Sequence, residues 1–147
     1  MTAIALVPAR LLAAGTLIAP ERPVDPALFR GLLDGFVFIV EYGPKDEPSL
    51  GQDVLSFADG LFASRGCNSM GFAPAPYWLR VDDTSIQFQA EMASAEHGKL
   101  VFTGRITGDE IAVTSLWTRQ RWYRTVLLES WYRGRIADPD EPLPAKT

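Results

Sequence analysis

From Phe36 onward, apolar and polar residues alternate with a period of two, and turn residues interrupt the alternation about every eight to twelve positions. This pattern is typical of antiparallel β-sandwiches and β-barrels. We therefore predict an all-β fold, with no helix of three turns after residue 34. The eight predicted strands span residues 36–42, 53–58, 61–65, 77–81, 85–93, 99–107, 110–118 and 121–133.

Three turns predict how neighbouring strands pair. A two-residue loop at Gly108-Asp109, a five-residue loop at 94–98 and a tight turn at Asp59-Gly60 each determine a register. One face of the paired strands is then apolar, with large residues facing small ones, and the other face is polar. The predicted pairs are Phe57–Phe62, Ile86–Ile106, Phe88–Gly104, Ala90–Phe102, Met92–Leu100, Leu100–Trp117, Phe102–Ser115, Gly104–Val113, Ile106–Ile111 and Thr107–Glu110.

The apolar face has to be buried, and eight strands can bury it by closing into an up-and-down barrel. The first strand differs from the others because residues 36–40, FVFIV, are apolar on both faces. Some other part of the molecule should cover its outer side. We expect the lead-in at residues 28–33 to do so; the N-terminal segment and a second subunit in a homodimer are the alternatives.

The start of the first strand resembles a known signature. Leu33-Asp34-Gly35-Phe36 resembles the L-x-G-x-W motif of lipocalins and related calycins, with Phe36 standing for the usual tryptophan. Arg133 or Arg135 would correspond to the arginine that covers this aromatic residue in the family. The resemblance extends over roughly residues 32–135 and implies a lipocalin-like barrel with a cup for a small apolar ligand. In many calycin-like domains, side chains fill that cup.

Three regions are predicted along the chain. Residues 1–27 form an apolar or signal-like segment with a proline-rich linker, residues 28–136 form the barrel, and residues 137–147 form a flexible acidic, proline-rich tail. The run from Leu11 to Ala19 has the length of a signal-peptide core and is too short to span a membrane. Two possibilities therefore remain open. The protein is exported, for instance to the periplasm, or it is cytoplasmic and its N-terminal arm packs on the domain.

Composition narrows the possible chemistry. The chain has 147 residues and a net charge of −4, which disfavours the broad basic surface that nucleic-acid binding requires. Its single cysteine, Cys67, and single histidine, His97, exclude an intramolecular disulfide and the Cys- or His-rich metal sites. Cys67 is interpreted as a small buried residue and His97 as a solvated turn residue, and we predict no cofactor and no metal.

Basic residues concentrate late in the chain, where residues 99–135 hold seven Lys/Arg against three Asp/Glu. These arginines could steer a small anion or an acidic partner to one end of the molecule, or they could simply solvate strand edges and turns. The irregular stretch 66–76 could similarly shape a barrel mouth or serve as a rigid connector. The late arginines are Arg119, Arg121, Arg124, Arg133 and Arg135.

One register places an arginine in the apolar cup. If Arg119-Gln120 is the tip of the last hairpin, Ser115 faces Arg124, Trp117 faces Trp122, and the Arg124 side chain points inward. The inner face we predict supplies no carboxylate, so the carboxylate of a ligand would be its partner. A longer loop or a bulge would instead turn Arg124 outward. The predicted ligand-binding residues are Arg124, Trp117, Trp122, Ser115, Phe88 and Phe102.

These observations favour a barrel that binds a small apolar or amphipathic ligand inside its cup, including one that carries a carboxylate. One alternative is an isomerase or lyase in the same cup, with Arg124 and Tyr123 or Tyr132 as its polar groups. The other is a packed barrel that serves as a structural or protein-interaction module. A fold of this kind can host any of the three functions.

Overall fold

The computed structural model describes residues 31–145 and confirms the predicted all-β, antiparallel, up-and-down barrel. Each strand pairs with its neighbours along the chain, and β8 pairs with β1 to close the barrel. The eight strands are β1 (Val37–Pro44), β2 (Gly51–Ala58), β3 (Leu61–Ser64), β4 (Ala75–Val81), β5 (Ile86–Ser94), β6 (Gly98–Thr107), β7 (Glu110–Arg121) and β8 (Arg124–Ile136). A five-residue helix, α1 (Arg65–Ser69), lies between β3 and β4.

The turn chemistry predicted most of the register correctly. Phe57 pairs with Phe62 in the β2–β3 hairpin, and every predicted pair of β5 with β6 and of β6 with β7 is present. Asp59 and Gly60 both adopt positive φ angles, as a tight hairpin turn requires. Gly104 faces Phe88 across the sheet, and a β-carbon at position 104 would stand only 2.6 Å from Phe88 Cζ. A large ring therefore fills the space that the glycine leaves.

The predicted register of the last hairpin was wrong. Ser115 pairs with Ser130 and Trp117 pairs with Leu128, while Trp122-Tyr123 forms the loop between Arg121 and Arg124. The stretch from Leu116 to Val126 contains no Gly, Pro, Asn or Asp, so no turn residue stops the ladder at the predicted point. The strands consequently continue three residues further before the chain reverses.

Aromatic side chains fill the middle of the barrel. Phe57 lies 5.0 Å from Phe88 between ring centroids and 5.2 Å from Phe62, and Phe62 lies 4.9 Å from Phe102. All four rings are almost fully buried. Side chains therefore fill the middle of the cup that we expected to hold a ligand, which leaves the two ends of the barrel for polar chemistry.

One end, which we call the lead-in end, is closed by the residues before β1. Leu33 is fully buried in the core, and its backbone N–H donates to the Tyr77 hydroxyl at 3.0 Å. The Tyr77 hydroxyl donates to Asp34 at 3.0 Å, and Asp34 accepts from the backbone N–H of Gly60 at 3.1 Å. Backbone donors and one buried phenol thus tie the lead-in to two hairpins.

The lead-in differs from our expectation in the part that the structure describes. Leu33 packs into the core instead of over the outer side of β1, where Val37 and Ile39 are half-buried. Residues 28–30 of the predicted lead-in, the segment 1–27 with its signal-like run, and residues 146–147 lie outside the described residues.

The other end, which we call the helix end, carries α1, the loop from β1 to β2, the turn at 95–97 and the β7–β8 hairpin. No helix within residues 31–145 is long and apolar enough to cross a bilayer.

Candidate functional site

A pocket of about 300 Å³ opens at the helix end, between β1, β2, α1 and β8. Residues close to the C-terminus complete its rim. The stretch 66–76 thus contributes to a pocket wall, as one of the two sequence interpretations anticipated. The lining residues are Tyr42, Gln52, Asp53, Val54, Arg65, Gly66, Cys67, Ser69, Met70, Tyr132, Pro144 and Ala145.

A buried carboxylate fixes α1 against β2. Asp53 accepts hydrogen bonds from the Ser64 hydroxyl at 2.5 Å, from the Val54 N–H at 2.7 Å and from the Gly66 N–H at 2.9 Å. Ser64 in turn caps α1, because its oxygen accepts from the Cys67 N–H at 3.2 Å. Three donors thus satisfy the buried Asp53 carboxylate, which lines the pocket.

Cys67 and Tyr132 form a second polar cluster beside this carboxylate. Burial raises the pKa of the Cys67 thiol and raises the pKa of the Tyr132 hydroxyl well above its ordinary range. The Tyr132 hydroxyl also interacts with Ser115 and with the thiol itself. Both groups therefore remain protonated and uncharged at neutral pH. A thiol of raised pKa is a poor nucleophile at neutral pH.

Arg65 places a positive charge on the pocket wall. One guanidinium nitrogen donates to the Pro144 carbonyl oxygen at 2.5 Å, which holds the C-terminal segment at the rim. Tyr42 stacks on Tyr132 with 5.9 Å between the ring centroids, and Met70 adds apolar surface. The pocket is thus amphipathic, with aromatic and aliphatic walls, the Arg65 cation, the Asp53 carboxylate bound by its own three donors, and the phenol and thiol of Tyr132 and Cys67.

The structure does not gather the six predicted ligand-binding residues around one cavity, and none of them lines this pocket. Phe88 and Phe102 are fully buried in the aromatic core, and Ser115 is buried and interacts with the Tyr132 hydroxyl. Trp117 is partly buried and donates from its indole nitrogen to the His97 carbonyl oxygen at 2.5 Å.

The other two predicted residues lie outside the barrel. Arg124 and Trp122 are at the exposed end of the β7–β8 hairpin, where Trp122 is 95% exposed. The prediction that the Arg124 side chain lies inside the cup was therefore wrong. In the observed register Ser115 pairs with Ser130, which lies six residues after Arg124. Side chains alternate between the two faces of a strand, so this even offset keeps Arg124 on the predicted face but places it beyond the barrel rim.

An inner-face carboxylate was missed in the sequence, although a signal for it existed. Asp53, Leu55 and Phe57 alternate along β2, and all three are buried. Phe57 faces inward, and every second residue of a strand lies on the same face, so counting back from Phe57 would have placed Asp53 inside the barrel. The statement that the inner face holds no carboxylate was therefore wrong. The sequence analysis considered Tyr132 only as a polar group of the isomerase or lyase alternative. No local sequence pattern identifies Arg65 as a pocket residue.

The late arginines do not gather at one end of the barrel. Arg119, Arg121 and Arg124 lie at the end of the β7–β8 hairpin, whereas Arg133 and Arg135 lie near the lead-in end of β8. Arg135 pairs with Glu141, with nitrogen to oxygen distances of 2.8 and 2.6 Å, and this contact lowers the pKa of Glu141 to about 2. The sequence excess of basic residues is thus divided between two surfaces.

Comparison with family models, with curated proteins and with solved structures found no significant match to this chain.

Proposed function

We propose that this protein binds a small amphipathic ligand carrying a carboxylate in the pocket at the helix end of the barrel. The observation that carries the proposal is the pocket itself, about 300 Å³ in volume, which combines the Arg65 cation with the apolar surfaces of Tyr42, Val54 and Met70. Pockets of this size and mixed character suit small-molecule ligands. An eight-stranded up-and-down barrel is also the architecture of lipocalin-like binding proteins, which agrees with the family resemblance of the first strand.

The expected pose follows from the chemistry of the walls. The guanidinium of Arg65 suits a carboxylate because its planar set of donors can form two parallel hydrogen bonds. The apolar part of the ligand would lie between Tyr42, Val54 and Met70. The phenol of Tyr132 and the thiol of Cys67 would stay uncharged beside the ligand, so neither would repel its carboxylate.

The isomerase or lyase alternative has less support. Of the polar groups considered for it, Arg124 and Tyr123 are at the exposed end of a hairpin. Burial moves the pKa of Tyr132 away from neutrality, whereas general acids and bases work best with a pKa near the working pH.

The first prediction concerns Arg65. Replacing Arg65 with Met keeps the aliphatic reach and removes the charge, so decanoate affinity should fall by about tenfold to a hundredfold, as expected for loss of a charged hydrogen bond. Affinity for decanol should change little, because its apolar contacts remain. Isothermal titration calorimetry with decanoate and decanol measures both effects.

The matched control is Arg124→Met, which removes an exposed charge from the same end of the molecule. This variant should bind decanoate like the parent protein and change the free energy of unfolding by less than about 0.5 kcal/mol. Ser69→Trp, which places a bulky ring at the pocket rim, should weaken both decanoate and decanol. Equal loss of decanoate affinity in Arg65→Met and Arg124→Met, or no saturable decanoate binding by the parent protein, would refute the proposal.

A further inference from the structure

The end of the β7–β8 hairpin extends beyond the barrel wall. Lys99, the second residue of β6, pairs with Thr118, and the last residue of β1, Pro44, pairs with Ser130. Residues 119–128, which we call the hairpin tip, therefore pair only within the β7–β8 hairpin among the described strands, with Leu127 opposite Thr118 and Leu128 opposite Trp117. The three residues from Arg119 to Arg121 add roughly 10 Å of strand beyond the rim.

The hairpin tip combines positive charge with exposed apolar side chains. It contains Arg119, Arg121 and Arg124 and no acidic residue. In the described part of the chain, none of these three arginines forms an ion pair. Trp122 is 95% exposed, and Tyr123, Leu127 and Leu128 are exposed as well.

Two features of the hairpin tip are unfavourable for an isolated domain. Arg121 pairs directly with Arg124 across the two strands, and like charges at this position destabilise a hairpin. A tryptophan at a loop without glycine leaves a large apolar surface in water. Natural proteins keep such local conflicts mainly at functional sites.

From these observations we propose that the hairpin tip docks on the surface of an anionic lipid bilayer. Tryptophan and tyrosine favour the interface between water and hydrocarbon, and arginines beside them are attracted to anionic headgroups. Leu127 and Leu128 supply aliphatic surface that a bilayer can cover and that a phosphate backbone or an acidic peptide would leave in water. One carboxylate, that of Glu96 in the 95–97 turn, lines a surface pocket together with Arg119 and Arg121, and the three arginines of the tip outnumber it.

The proposal stands apart from ligand binding, because it rests on a surface that shares no residue with the pocket. The two features nevertheless lie at the same end of the barrel. A docked molecule would hold the pocket toward the membrane, where amphipathic carboxylates concentrate.

The test measures co-sedimentation of the full chain with vesicles of phosphatidylcholine alone and of phosphatidylcholine with phosphatidylglycerol. We expect binding to the anionic vesicles only, with an affinity that decreases as salt increases. Each arginine near an anionic surface contributes about fivefold in affinity, so R119Q/R121Q/R124Q should lower binding about a hundredfold. Arg133→Gln, an exposed arginine on the barrel wall, is the matched control and should bind like the parent protein.

Trp122 provides a second readout. Its fluorescence should shift to shorter wavelength when anionic vesicles are added, and Trp122→Phe should lose this shift while keeping most of the binding. W122S/Y123S should lose binding, whereas Val81→Ser, an exposed apolar residue at the lead-in end, should not. Circular dichroism checks that every variant folds. If the triple variant is unstable, the single variant Arg124→Gln replaces it, with an expected loss of vesicle affinity of about fivefold.

Three outcomes would overturn the proposal. They are no binding of the parent protein to anionic vesicles, equal binding of the parent protein and the folded arginine variant, and binding to polyglutamate or single-stranded oligonucleotides without binding to vesicles. Loss of decanoate binding in Arg65→Met with unchanged vesicle binding would separate this proposal from the ligand-binding function.

Discussion

Tyr77 connects three parts of the chain through one phenol. Its hydroxyl accepts from the Leu33 N–H and donates to Asp34, and its ring lies 5.0 Å from that of Phe57. Burial raises the pKa of Tyr77 to about 12, and the nearby Asp34 carboxylate adds to the effect. The same residue therefore contributes packing, a hydrogen-bond network and a titration linked to stability.

The free energy of unfolding should decrease as the pH rises from about 10 to about 12. The unfolded chain loses the Tyr77 proton near pH 10, whereas the folded protein retains it up to about 12, so the unfolded state binds fewer protons in this window. The stabilising contribution of the protonated phenol is complete below pH 10 and is lost as the pH passes through the folded value. Urea unfolding at several pH values measures this dependence.

The control for this titration is a pair of phenylalanine variants. Tyr77→Phe should be less stable at neutral pH, by about 1 to 3 kcal/mol, because Leu33 and Asp34 lose a partner. It should also show a shallower decrease above pH 10. Tyr123→Phe removes an exposed phenol and should reproduce the parent curve. A parent-like slope in Tyr77→Phe would show that other groups cause the alkaline loss.

The hairpins show how far sequence alone can predict this fold. Turn residues such as Asp59-Gly60 and Gly108-Asp109 determine a register locally, and the alternating faces confirm it, so the barrel and most of its pairs could be predicted. The last hairpin lacks such a residue, and only the pairing of β8 with both β1 and β7 determines its position. Its faces were therefore predictable, but the depth of Arg124 was not.

The pocket, too, was only partly predictable from the sequence. Asp53 follows from the inward parity of β2, and Ser64 followed by a short helix is recognisable as a cap. Arg65 meets Pro144 across 79 positions of sequence, and no local pattern encodes such a contact. The cation on the pocket wall therefore emerges only from the tertiary structure.

The barrel closes along the pairing of β8 with β1, which we call the seam, and this pairing depends on Gly134. A β-carbon built at this position would collide with the Ile39 carbonyl oxygen and stand 2.6 Å from Val40 Cα. Both atoms belong to the backbone of β1, so no side-chain rotation can relieve the contact. Gly134→Ala should therefore lower the free energy of unfolding by about 3 kcal/mol or more.

Gly66→Ala is the matched control for the seam. Its β-carbon would meet the Asp53 carboxylate at 3.5 Å, an ordinary van der Waals distance, and the residue lies in α1. We expect its stability to equal that of the parent protein or to exceed it by up to about 1 kcal/mol, because alanine favours a helix over glycine. Urea unfolding of the two variants compares them, and equal stability would show that the seam can adjust to a β-carbon.

The two ends of the barrel differ in structure, since one is closed and the other carries an open pocket. At the lead-in end, Leu33, Asp34 and Tyr77 close the core with a hydrogen-bond network. At the helix end, Asp53 and α1 frame an open pocket, and the hairpin tip extends past it. The aromatic core between the two ends keeps them separate, so the helix end can carry a pocket without loss of the closed end.

This division predicts which part of the N-terminal region the barrel needs. The β1–β8 pairing that closes the barrel begins at Phe38 and Ile136, and the described core begins at Leu33, so a chain lacking residues 1–26 should still fold. Its free energy of unfolding should stay within about 2 kcal/mol of the parent value, out of the roughly 5 to 15 kcal/mol typical of a domain. Deletion of residues 1–35 also removes Leu33 and Asp34, opens the closed end and leaves Tyr77 with fewer partners. This longer deletion should lose most of the stability. Urea unfolding of both truncated proteins distinguishes the cases, and a shorter deletion as damaging as the longer one would show that residues 1–26 belong to the core.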